Sequence, residues 1–119
     1  MIIFKQFTFD SAHSLPNVHD EHKCKRVHGH TYNLKVFVEG PLEEKLEWVM
    51  DFTDLKDVVG PVVKELDHYY MNDIIGLENP TCENIARWIW NRIKVQLPKL
   101  KYIELHETPT TGVIYDGKG

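Results

Sequence analysis

The sequence predicts an α+β domain in which four strands form an antiparallel sheet with two helices on one face. Three observations predict it. Apolar residues alternate with period two up to Glu39 and again from Tyr102 to Glu107. Between those stretches, two segments repeat apolar residues at i, i+3 and i+4. Proline and glycine mark the boundaries at Gly40-Pro41, Pro80, Pro98 and Pro109 to Gly112. The order is β-β-α-α-β-β, so strand pairs are segregated from helices instead of alternating with them.

Ile3 to His13 reads as the first strand, with Phe7, Phe9, Ser11 and His13 on one face. Ser14 to Arg26 is polar, contains Pro16 and Asn17, and reads as a loop; loops of that length are often functional. His28 to Glu39 is the clearest strand. His28, His30, Tyr32, Leu34, Val36 and Val38 share one of its faces. Thr53 to Leu66 is helical, with Leu55, Val58, Val59, Val62, Val63 and Leu66 as its stripe and Thr53 or Asp51 as cap. Gly60-Pro61 predicts a kink there, because an interior proline loses a hydrogen bond.

A second helix is expected from about Thr81 to Leu97. Thr81 caps it, Glu83 sits in its positive first turn, and Pro98 stops it. Its stripe is Ile85, Trp88, Ile89 and Ile93. Tyr102 to Glu107 is a third strand, with Ile103, Leu105 and Glu107 on one face, and Gly112 to Asp116 a short fourth. Four strands cannot close a barrel, so two sheet edges stay open. Edge pairing between subunits would cover them, which predicts an oligomer.

The chain has 119 residues and 42% hydrophobic residues, as expected for one globular domain. A net charge of -4 argues against bulk nucleic-acid binding. Cys24 and Cys82 are the only cysteines, too few for a disulfide framework and in keeping with a reducing cytosol. Lys5 and Gln6 interrupt the N-terminal apolar stretch, so no signal peptide is expected there. No apolar run approaches the roughly 18 residues of a membrane span. The expectation is a soluble cytoplasmic protein with neither a nucleic-acid nor a membrane partner.

His28 and His30 are two apart in a strand, so both rings leave one face. An H-x-H pair alone is weak evidence for a metal. His13 ends the neighbouring predicted strand on its apolar face, and a hairpin would bring the three rings to one point. Three imidazoles hold Zn2+ and leave its fourth position for substrate. Cys24 lies four residues before His28, next to Lys23, Lys25 and Arg26, where a thiolate would be stabilised. The alternative is an ordinary loop cysteine. The three basic residues can bind a polyphosphate tail or form a solvated loop. Asp67-His68 pairs a carboxylate with an imidazole, although adjacent residues do not normally face one another. Glu107 lies on an apolar face and needs a partner, either an arginine or a ligand with two N–H donors.

His13, the run Cys24-Lys25-Arg26-Val27-His28-Gly29-His30, then Asp67-His68, Pro80-Thr81-Cys82-Glu83 and Glu107-Thr108 together resemble the 6-pyruvoyl-tetrahydropterin synthase superfamily. The likeness covers nearly the whole chain. The short C-x-x-x-H-G-H spacing, with Trp48 to Leu55 and Gly76 to Trp90, is similar to its 6-carboxytetrahydropterin synthase branch, which serves queuosine-precursor synthesis. A branch with glutamate three residues before H-G-H is disfavoured, because Lys25 stands there.

The resemblance implies zinc on His13, His28 and His30, and Cys24 as proton acceptor. Asp67 and His68 would complete a relay, and Glu107 would anchor a pterin ring. Thr81 and Glu83 would lie near the pterin. It implies the tunnelling fold, in which trimers close a twelve-stranded barrel and two trimers stack into a hexamer. Active sites then lie between subunits. The implied reaction is a zinc-dependent lyase step on 7,8-dihydroneopterin triphosphate that yields 6-carboxytetrahydropterin, acetaldehyde and triphosphate. The alternatives are a synthase that stops at the 6-pyruvoyl product and a non-catalytic zinc-binding assembly protein.

Overall fold

The computed structural model describes residues 1–119. Strands β1 (Ile2–His13) and β2 (His28–Glu39) pair antiparallel without a break, from Ile2 opposite Glu39 to His13 opposite His28. β3 (Leu100–Thr108) pairs with β2 and β4 (Thr111–Tyr115) with β3, giving the order β1-β2-β3-β4. Helices α1 (Phe52–Leu66) and α2 (Cys82–Lys94) lie between the two strand pairs in sequence. The four-stranded antiparallel sheet and two helices are those the periodicities predict.

The helices pack on one sheet face. Phe9, Leu34, Val36, Val38 and Ile103 are buried there with Leu55, Val59, Leu66, Ile85, Ile89 and Ile93. Burying each large aliphatic side chain contributes about 1.5–3 kcal/mol relative to exposure. The other face is open. It carries an aromatic ladder in which Phe4 meets Phe37 at 5.4 Å and Phe37 stacks on Tyr102 at 4.4 Å. No helix is long and apolar enough to cross a membrane.

Several boundaries differ from expectation. Asp51, not Thr53, caps α1, accepting the Thr53 N–H at 2.8 Å. α1 continues through Pro61 to Leu66. Pro61 and Asp57, the residue whose carbonyl loses its partner, are both exposed, so water can take the missing bond. α2 ends at Lys94, short of Leu97, because its last turn tightens: Gln96 N–H bonds Ile93 O, and Leu97 N–H bonds Lys94 O, both at 3.1 Å. β3 begins earlier than Tyr102, since a bulge after Phe37 lets Leu100 pair with Val38. A 3-10 turn at Met71–Asp73 was not expected.

The β3–β4 hairpin depends on Gly112. A Cβ there would sit 2.6 Å from Leu105 O and 3.0 Å from the His106 Cα. Both are backbone atoms, so no rotamer change relieves the clash. Gly112→Ala is expected to cost about 1–3 kcal/mol, the usual penalty for overpacking. It should appear as a lower urea midpoint with unchanged slope, and an unchanged midpoint would show that the hairpin yields.

Candidate metal centre and its flanking groups

The β1–β2 register builds the centre. His13 and His28 are direct cross-strand partners, and His30 lies two residues along the same face. The ring centroids are 4.5 Å apart for His13 and His28, 5.2 Å for His13 and His30, and 5.0 Å for His28 and His30. One ring nitrogen from each lies within 4.8 Å of the others. Tyr32 continues the face below them and stacks on Phe9 at 5.0 Å, forming an aromatic floor.

Two of the rings have fixed tautomers. His13 Nδ1 is 2.8 Å from Pro80 O, and His28 Nδ1 is 2.7 Å from Arg26 O. A carbonyl only accepts, so each Nδ1 carries the hydrogen and each Nε2 presents a lone pair. His13 Nε2 is buried and has no hydrogen-bond partner. An orphaned acceptor of this kind is costly unless something fills its place. Burial lowers the His13 pKa against the opposing Pro80 bond, and burial likewise lowers that of His30. A divalent cation fits this donor set, and zinc suits three neutral imidazoles.

Glu107 enters from β3. Its Oε1 is 3.5 Å from His13 Nε2 and 3.7 Å from His30 Nε2, so it faces the histidine cluster and not an arginine, and adds an acceptor beside the lone pair of His13. Burial, and then the Glu107 charge, push the Tyr32 hydroxyl well above the usual tyrosine range. Burial is also the main reason that the Cys82 thiol is pushed up to about 12. Its Sγ–H donates to Leu105 O at 3.5 Å, which makes Cys82 a structural thiol.

Cys24 belongs to a 3-10 turn, Lys23–Lys25, inside the long loop. Its N–H donates to His22 Nδ1 at 3.0 Å, and its carbonyl accepts the Leu15 N–H at 2.8 Å. Cys24 thus lines a cleft of about 300 Å3 with Lys23, His28 and His30. The basic residues divide. Lys23 faces the cleft, whereas Lys25 Nζ donates to Pro16 O at 2.6 Å and Val18 O at 3.3 Å and lies 3.6 Å from Asp20. Lys25 therefore pins the loop. Arg26 is exposed and offers its carbonyl to His28.

Asp67 and His68 lie elsewhere, at the outer edge of β1. They do face one another: Asp67 Oδ2 is 3.0 Å from His68 Nδ1. Adjacent residues manage this because His68 adopts a left-handed φ of 62°. The N–H of Asp10 and the His68 imidazole hold the Asp67 carboxyl below its usual range, and Asp67 in turn raises His68. His68 opens on a cavity of about 550 Å3 that shares His30 with the cleft of Cys24 but does not include Cys24 itself. Thr81 caps α2 through its hydroxyl, which accepts the Asn84 N–H at 3.1 Å. Glu83 is exposed in the first turn of α2, and neither residue lines the histidine cleft.

Residue-by-residue reading missed His22, the Pro80 carbonyl and Tyr32. Only Tyr32 had a signal, since it continues the His28–His30 alternation. The other two act through contacts set by the fold.

The family described as 6-pyruvoyl tetrahydropterin synthase matches residues 2–118. A 6-carboxy-5,6,7,8-tetrahydropterin synthase of Synechocystis sp. is 43% identical, over 96% of this chain and 92% of that protein. A dihydroneopterin monophosphate aldolase of Pyrococcus furiosus is 46% identical, over 93% of each chain. The solved 6-pyruvoyl tetrahydropterin synthase of Caenorhabditis elegans superposes with a TM-score of 0.92 at 25% identity, covering 99% of this chain and 96% of that one.

Proposed function

The chain belongs to the 6-pyruvoyl tetrahydropterin synthase family, and from that membership we propose that it is a 6-carboxytetrahydropterin synthase. It takes 7,8-dihydroneopterin triphosphate and one water to 6-carboxytetrahydropterin, triphosphate and acetaldehyde. One observation carries the reading: three imidazoles, two of them with Nε2 lone pairs fixed by carbonyl bonds at Nδ1, converge beside a cleft that also holds Cys24. The product assignment draws on the 43% identity to the Synechocystis enzyme.

His13, His28 and His30 would hold a zinc ion, which when bound acidifies oxygens of the substrate side chain without redox chemistry of its own. The Pro80 and Arg26 carbonyls keep two of those rings in the binding tautomer. Cys24 takes the proton from the side-chain carbon next to the ring. The electron pair passes into the ring imine, so the pterin is reduced internally and no nicotinamide is required. Glu107, beside the His13 and His30 rings, accepts the pterin N–H groups. Lys23 and Arg26 meet the triphosphate, since Lys25 is already engaged.

Asp67 and His68 lie at the outer edge of β1. Their relay with Cys24 therefore runs between subunits. The edge of β4, and that of β1 before Asp10, support a ring of copies, a trimer stacked into a hexamer. A route to queuosine precursors in the cytoplasm follows from the same reading.

The Pyrococcus relative favours a second reading, aldol cleavage of a dihydroneopterin phosphate. Product analysis separates the cases. The synthase yields acetaldehyde and a carboxylated tetrahydropterin. The pyruvoyl-forming reaction retains a three-carbon side chain, and an aldolase leaves the ring at the dihydro level. Incubation with dihydroneopterin triphosphate, mass analysis of the pterin and metal content of the same sample decide among them. Either of the last two products would replace the proposed activity, and bound zinc with no turnover of any dihydropterin would leave a binding protein.

A further inference from the structure

The Asp67–His68 pair has a neighbour that neither its motif nor the family likeness singles out. Asp10 is on β1, 57 residues from Asp67 in sequence, and meets the pair three times. Its N–H donates to Asp67 Oδ1 at 2.9 Å. Its carbonyl accepts the His68 N–H at 2.6 Å. Its carboxylate, with that of Asp67 and a ring nitrogen of His68, forms a group whose atoms all lie within 4.8 Å of one another. Thr31, directly across the ladder from Asp10, donates its hydroxyl to that carboxylate and fixes where it points.

The backbone needs such a clamp. His68 is one of only two non-glycine residues with positive φ, a strained conformation that persists only where the surroundings impose it. Here the surroundings are the last residues of β1: Asp10 holds positions 67 and 68, and Ala12 N–H bonds Tyr69 O at 3.0 Å. The same sheet strand that ends in the metal-facing His13 therefore also sets the geometry of the dyad.

We propose that Asp10 is the positioning residue of the Asp67–His68 dyad, its peptide group clamping the left-handed turn and its Thr31-anchored carboxylate holding a negative charge within 4.8 Å of the His68 ring. This rests on the reading of Asp67 and His68 as the proton relay. The electrostatics agree. Asp67 is the main reason that the His68 pKa is raised, and Asp10 adds to it. His30, Tyr69 and Tyr70 line the same cavity without contributing to that shift.

Asp10→Asn keeps the backbone bonds and an oxygen for Thr31 but removes the charge. In the enzyme as isolated, His68 is followed by NMR titration, its signal assigned by its absence from His68→Ala. The expected result is a lower His68 midpoint, because a neighbouring negative charge is gone. The kcat–pH profile should shift with it and kcat fall about tenfold, while KM for dihydroneopterin triphosphate stays within about twofold, as expected when ground-state binding is untouched. Thr31→Val, which frees the carboxylate, should reproduce part of the midpoint shift. An unchanged midpoint in both variants, with His68→Ala inactive, overturns the role of Asp10 alone. Full turnover by His68→Ala overturns the relay and this inference with it.

Discussion

Cys24→Ala is expected to keep its metal and its fold while losing turnover by about 10²-fold or more, the usual share of a positioned acid-base group. The structure allows this separation because Cys24 lies in a 3-10 turn held by its backbone, not its thiol. His22 Nδ1 takes the Cys24 N–H, Leu15 donates to the Cys24 carbonyl, and Lys25 pins the adjoining loop. Truncating the side chain leaves those bonds alone. It also leaves the rings of His13, His28 and His30, none of which is tied to the thiol. Zinc content by atomic absorption, melting temperature and turnover of dihydroneopterin triphosphate are to be measured on one preparation. Wild-type turnover would remove the thiol from the mechanism, and loss of the metal would make Cys24 a ligand instead.

His28→Ala is expected to lose metal and activity together. His28 supplies one of three imidazoles, and its Nδ1 is already committed to Arg26 O, so the ring faces the cluster with Nε2 alone. Even outer-shell partners of a metal site typically carry 10–100-fold in affinity. Loss of a direct ligand should exceed that. Stability follows by linkage, because a metal bound only to the folded chain raises the melting temperature. The variant should therefore melt where chelator-treated wild type melts, and added zinc should stabilise only the wild type. Stoichiometric zinc in His28→Ala, or a wild-type melting point indifferent to zinc, would refute the ligand set.

The two variants probe groups of unequal legibility. The histidine cluster was readable because strand periodicity is strict. Given a hairpin, residues alternating along β2 must share a face, and a partner at the end of β1 must sit opposite them. Glu107 was readable as an anomaly on an apolar face, but the nature of its partner was not. Arginine was one expectation, and the structure places Glu107 against two imidazoles of the histidine cluster instead, which leaves its acceptors open to a ligand. Lys25 shows the reverse. A run of three basic residues looked uniform, yet one of them is consumed by carbonyls of its own loop.

Sequence alone determined the element order, the inward faces of β1, β2 and α1, most of that of α2, where Trp90 and not Trp88 is the buried indole, and the residue types able to hold a metal. These depend on period and propensity, which act over a few residues. Only the tertiary structure decided the tautomers of His13 and His28, the facing of Asp67 and His68 across a left-handed turn, and the clamp supplied by Asp10. The His13 and Asp10 contacts join residues 67 and 57 positions apart. They depend on where the Pro80 loop and the end of α1 dock against β1, and no local pattern encodes that distance.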